Sequence, residues 1–285
     1  AAGADQSGAE GAFPRPAELG ADQSPDIDWL EHMLGQLRDE DREWDCFGLL
    51  RPTSPFRTAA TLVRAWGEFV AQGAEVDTYS EHEELLARED IHGVLIATTA
   101  HWHGPIAEDA IPAGKDVYVE KPMSHDVAEG RVAVEAQRKY GVVIQHGTQS
   151  RSDARIAGLH QAIAEGKFGR LKTSYGYCCK PRGSIGMKAA SDVPSNLNWD
   201  LWRGPANIDK FHGNFVHYNW HWFWKTGNGD LNNQGTHQLD VARWALDTDQ
   251  THPVRAMAIG GRFQWNDQGE TPNTMMGLAQ YPNGQ

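Results

Sequence analysis

Between residues 82 and 145 the chain alternates short apolar runs with longer helical segments, and this alternation limits the fold more than any other feature of the sequence. The helical pattern HEELLARE (82–89) leads into GVLIA (93–97), a run with no polar alternation, as expected of a strand covered on both faces. A second helix pattern, from Pro105 to Ala113, leads into DVYV (116–119), and a third, from Asp126 to Tyr140, leads into VVIQ (142–145). In the third helix Glu129 follows Asp126 at capping-box spacing, and Gly141 supplies the stop. Strands alternating with helices in this way define a βαβαβ unit and a parallel sheet.

The flanks extend the same α/β character. Upstream, Ile27, Leu30, Leu34 and Leu37 mark one helical face, CFGLL (46–50) reads as a short buried strand, and RPTSPFRT (51–58) is a turn. Thr58 then caps a helix carrying Leu62, Trp66 and Phe69, closed by Gly73. Downstream the pattern predicts a helix over 154–165, a long strand over LKTSYGYCC (171–179) and a loop-rich stretch over 180–233. A helix over 238–246 and strands near 254–264 and 274–281 follow. A loop as long as 180–233 inside a compact domain is usually functional. Five tryptophans fall in or beside it: Trp199, Trp202, Trp220, Trp222 and Trp224. Two readings stand for them, a crowded aromatic core or a wall that binds a sugar or another ring.

Composition removes other classes. A net charge of -12 with no run of Lys or Arg disfavours nucleic acid and anionic membranes as partners. No stretch is apolar and long enough to span a bilayer. Cys46, Cys178 and Cys179 make neither a disulfide framework nor a CxxC metal knuckle, so a reducing, cytoplasmic setting is expected. The chain opens on Ala1 without a signal-peptide pattern and closes on the turn sequence YPNGQ, so it is expected to be cut at both ends, with exposed strand edges and a tendency to form homo-oligomers.

Four stretches in order over residues 75–285 carry a resemblance: HEELLAREDIHGVLIATTAHWHGPIAEDAI, AGKDVYVEKPMSH, GTQSRS and GDLNNQGTHQLDVARW. Together they resemble the Gfo/Idh/MocA oxidoreductases. The resemblance implies an N-terminal Rossmann domain holding NAD or NADP and a C-terminal α/β domain whose open sheet covers the substrate site. It implies hydride exchange between that cofactor and a hydroxyl of a sugar or cyclitol. NAD-assisted glycoside cleavage at the same site is the alternative within the family.

The site residues follow from the matching motifs. Lys121, in Glu120-Lys121-Pro122 after a strand, stands where parallel sheets bind ligands and supplies a cation for a developing oxyanion. His237 corresponds to the family's acid/base histidine, and Asp240 lies one turn further, placed to orient that ring or to cap the helix. Asn233 replaces the first aspartate of the family's D-x-G-x-H-x-x-D; it cannot take a proton but can hydrogen-bond a substrate hydroxyl. Thr98, Thr99, His101 and His103, in ATTAHWH, together with Glu120 and Lys121, are the expected cofactor contacts, with Thr99 in place of the usual proline. Arg151, Tyr218, Trp220 and Asn233 are the expected substrate contacts. No metal is expected at His101 and His103 or in HYNWHW (217–222), since neither has a third ligand in sequence.

Two departures qualify the match. No G-x-G-x-x-G fingerprint for a dinucleotide pyrophosphate occurs anywhere in the chain. Residues 1–73, with PRPAELGADQSPDIDWLEHML and LLRPTSPFRTAATLVRAW, resemble instead the middle of an N-acylneuraminate (CMP-sialic acid) cytidylyltransferase, in which Arg51, Ser54 and Arg57 could form an anion-binding turn. The expected organisation is therefore a cytidylyltransferase-like α/β fragment (1–73), a partial Rossmann-like domain (74–150) and an incomplete α/β substrate domain (151–285), joined near residues 72–76.

Overall fold

The computed structural model describes residues 48–50, 77–246 and 252–285. The helices expected near Asp26 and after Thr58, and the turn with Arg51, Ser54 and Arg57, lie outside the described residues. No helix among the described residues is long and apolar enough to cross a membrane.

A parallel sheet of four strands is laid down in chain order: β1 (Gly48–Leu50), β2 (Gly93–Ile96), β3 (Asp116–Val119) and β4 (Ile144–His146). Helix α1 (His82–Leu86) precedes β2, α2 (Ala100–Ala110) joins β2 to β3, and α3 (Val127–Tyr140) joins β3 to β4. The junction expected near 72–76 lies outside the described residues, at their edge.

The core is built from the inward residues of these elements. Val94 and Ile96 of β2 and Val117 and Val119 of β3 pack with Ile106, Ala107 and Ala110 of α2 and with Ala133 of α3. Ile96 and Val119 have no exposed surface. The Asp126 side chain accepts from the Glu129 N–H at 2.9 Å, and the Glu129 carboxylate turns back to the His125 and Asp126 N–H groups. Gly141, at φ 74°, ends α3 in the left-handed conformation that favours glycine.

Helix α2 starts five residues before the expected Pro105, which sits inside it. The residue before a proline normally resists helical geometry because its Cβ meets the ring; here that residue is Gly104, which has none. Gly104 also lets α2 approach α3, since a Cβ there would lie 2.7 Å from a Glu129 carboxylate oxygen.

Residues 149–171 belong to a separate compact unit. They form a 3-10 turn (Gln149–Ser152) and helix α4 (Ala154–Ala164), whose Asp153 cap accepts from the Arg155 and Ile156 N–H groups.

In the remainder, α5 is Trp199–Arg203, α6 is Thr236–Ala245, and β5 (Arg255–Gly261) pairs antiparallel with β6 (Thr274–Gln280). The long strand expected over 171–179 does not form. A strand needs a neighbour to satisfy its backbone; here Tyr175 and Tyr177 are 83% and 77% exposed, and the backbone at Gly176 lies against Gln238 of α6 instead. Met257, Ile259, Met276 and Leu278 of the β5–β6 ribbon are also exposed.

Candidate active site

The sheet delivers Lys121 directly. The Glu120 N–H continues the parallel ladder by donating to the Ile96 carbonyl at 2.8 Å, and Lys121 is the first residue beyond it, joined to Pro122 by a cis peptide. The Glu120 carboxylate accepts from the Lys121 N–H at 3.2 Å. The Lys121 ammonium donates to the Asn233 carbonyl at 2.8 Å and to its side-chain Oδ1 at 2.7 Å. An ammonium has three N–H donors, so one is left after Asn233. Burial pushes the Lys121 pKa down from its ordinary value, while the Glu120 carboxylate opposes the shift.

Asn233 is presented by a π-helical turn, Leu231–Gly235, that runs directly into α6. Turns of this kind are rare and concentrate at functional sites. The turn is anchored just before its start, where the Arg182 guanidinium grips the Asp230 carboxylate in two bonds of 2.9 and 2.7 Å. His237 follows in the first turn of α6. Burial first, then the positive charge of Lys121, lowers its pKa to about 4, so the ring is neutral at pH 7 and able to accept a proton. Asp240, one turn on, opposes that shift. His146, at the end of β4, feels both Lys121 and Asp240 and is also held neutral by burial.

The ATTAHWH residues cap the carboxyl end of β2. Thr98 and Thr99 are buried, and the Thr99 hydroxyl has no hydrogen-bond partner. His101 meets the Trp202 carbonyl through Nε2 at 3.1 Å. His103 lies between two carbonyls, with Nδ1 2.5 Å from that of Pro122 and Nε2 3.0 Å from that of Thr98.

The aromatic stretch divides between the two readings. Trp199 and Trp202 stack at 5.0 Å and pack with Phe215, Phe223 and Ile208 as a core. The close approach of Trp102 to this layer requires Gly204, at φ 46°, where a Cβ would lie 2.0 Å from the indole. Trp222, by contrast, is buried yet borders a cavity of about 470 Å³ lined also by Arg182, Lys188, Tyr218 and Asn219. Tyr218 is more than half exposed there, and its hydroxyl accepts from Arg182 at 3.3 Å. Trp220 is partly buried, and its carbonyl accepts from the Thr226 hydroxyl at 2.5 Å. Arg151 stands on the separate unit, in the turn Gln149–Ser152.

The structure thus gathers Lys121, Asn233, His237 and Asp240 around one point. Sequence reasoning missed four residues there: His146, His221, and Arg182 and Asp230, the pair that anchors the π turn. His146 had a usable signal, its place at the carboxyl end of a parallel strand. His221 was visible only as part of HYNWHW, and no local pattern links Arg182 to a carboxylate 48 residues away.

Open parallel sheets bind ligands at the carboxyl ends of their strands, where Lys121 stands near the neutral ring of His237. Comparison with known proteins agrees. Residues 32–148 match the oxidoreductase family with an NAD-binding Rossmann fold, and residues 172–274 match that family's C-terminal alpha/beta domain. The chain belongs to the Gfo/Idh/MocA oxidoreductase family. The first match begins at residue 32 and runs unbroken through 72–76, so the cytidylyltransferase reading of 1–73 and the fusion it implied are not supported.

The chain is 27% identical to 1,5-anhydro-D-fructose reductase of Ensifer adhaerens over 83% of its own length and 62% of the relative's. It is 27% identical to levoglucosan dehydrogenase of Pseudarthrobacter phenanthrenivorans over 68% of its length and 44% of the relative's. The chain therefore spans roughly half the length of these relatives. A solved levoglucosan dehydrogenase, in complex with NADH and levoglucosan, shares the fold with a TM-score of 0.55 at 20% identity, over 83% of this chain and 55% of that one.

Proposed function

We propose that the chain carries the reacting centre of an NAD(P)-dependent oxidoreductase acting on a hydroxyl of a sugar or cyclitol. The observation that carries this reading is the Lys121 ammonium, fixed by two bonds to Asn233 with one N–H to spare, beside the neutral ring of His237. The remaining Lys121 N–H would donate to the reacting oxygen and stabilise negative charge as it develops. His237 would take the hydroxyl proton during oxidation and return it during reduction. Asn233 holds the ammonium in place, a role an amide performs without an ionisable group.

The residues present fit the nicotinamide end of the cofactor. Thr98 and Thr99, Glu120 and Lys121, and His146 line the carboxyl ends of three adjacent parallel strands, and the buried Thr99 hydroxyl is free to bond a ligand. A nicotinamide bound there would supply the two-electron acceptor or donor. The choice of a sugar or cyclitol rests on relatives named for anhydrofructose and levoglucosan. It also rests on the cavity beside Arg182, where the exposed Tyr218 ring offers a stacking face.

The test is a titration with NADH and NADPH followed by tryptophan fluorescence, with a panel of sugars and inositols then offered to the protein loaded with the oxidised cofactor, NAD or NADP. Saturable binding and substrate-dependent cofactor reduction are expected. Failure to bind either cofactor at millimolar concentration would defeat the reading.

A further inference from the structure

We propose that His103 is the positioning residue that aims Lys121, by holding the Pro122 carbonyl from the first turns of α2. The inference rests on the role given to Lys121 above. Lys121 sits on a single residue pair between the sheet and a proline. Upstream, its main chain is pinned by the Glu120 N–H on the Ile96 carbonyl at 2.8 Å. Downstream, Pro122 has no N–H to donate, so its carbonyl is the group through which the backbone can be held. His103 Nδ1 meets that carbonyl at 2.5 Å.

The geometry also sets the tautomer. Both ring nitrogens of His103 face carbonyls, which only accept, and a neutral imidazole carries one N–H. The shorter contact is at Nδ1, which assigns the proton there and the bond to Pro122; Nε2, 3.0 Å from the Thr98 carbonyl, packs the ring against the loop after β2. His103 is 2% exposed and stands on a helix fixed against α3 through Gly104, so the ring has a rigid base. One side chain of α2 thereby holds the loop that follows β3.

Three variants separate this role from generic core packing. Asparagine places an amide nitrogen near the Nδ1 position and glutamine near Nε2, so only His103→Asn retains the bond to Pro122. His103→Ala is expected to lower kcat about 10- to 100-fold, the scale of a small misplacement of a reacting group, with KM for the cofactor changed less than about threefold. His103→Asn is expected to recover most of kcat and His103→Gln to recover little, although the two melt alike. Alanine at wild-type kcat, or equal rescue by both amides, would overturn the proposal. A second measurement needs no turnover. Nitrogen-15 spectra of histidine-labelled protein, assigned by the signal lost in His103→Asn, should show His103 protonated at Nδ1; protonation at Nε2 alone would overturn it. Wild-type protein that turns nothing over while keeping the Nδ1 proton would count against the oxidoreductase reading and leave the strut in place.

Discussion

At the scale of the residue, the reacting centre combines one cation, the Lys121 ammonium, with one base, His237, that burial keeps neutral. Lys121 and Asn233 are 112 positions apart, and the sequence motifs supplied both residue types. What they could not supply was the pairing. Asn233, expected to meet substrate, spends its Oδ1 and its carbonyl on the ammonium, so its first task is to orient Lys121. Histidine 103 shows the same limit: its motif suggested a cofactor contact, while its ring meets two backbone carbonyls. A pH prediction belongs here. His237 must be neutral to accept a proton, and its pKa is lowered to about 4. The oxidation rate should therefore be flat through the range where a free histidine titrates, near 6.5, and fall only as the pH approaches about 4. An acid limb near the free value in kcat against pH would show that His237 is not the buried base described.

At the scale of the element, legibility follows how local the determinants are. Helix α3 was readable at both ends, because the Asp126–Glu129 box and Gly141 act within a turn of the residues they cap. The strands of the parallel sheet were readable because they are short apolar runs bounded by helices. The start of α2 was not, since it depends on Gly104 relieving the clash before Pro105. The segment 171–179 has the composition of a strand but no partner strand among the described residues, and pairing is not a local property. Asp126→Ala removes the side-chain acceptor for the Glu129 N–H and should cost about 1 kcal/mol of stability. Denaturant unfolding should register this loss as a lower midpoint. An unchanged midpoint would show that the cap is not holding the helix.

At the scale of the whole molecule, the buried histidines couple stability to pH. His101, His221 and His237 all have pKa values lowered to about 4 from an ordinary 6.5, with burial as the largest cause. The unfolded chain takes up these protons first as the pH falls, so the stability present above pH 6.5 is lost progressively toward pH 4. The melting temperature should drop across that window, and less steeply in a His101→Gln variant. A constant Tm from pH 7 to about 4 would contradict the account of neutral buried rings. The two family domains, matched over 32–148 and 172–274, contribute one residue each to the centre, Lys121 from the first and His237 from the second. The claim that this centre does the chemistry is tested most directly by Lys121→Ala, with cofactor affinity and turnover measured on the same protein. The account predicts affinity for NADH within about tenfold of wild type and turnover lowered by about a thousandfold or more, because the ammonium acts mainly on the transition state. Turnover unchanged in Lys121→Ala would contradict it.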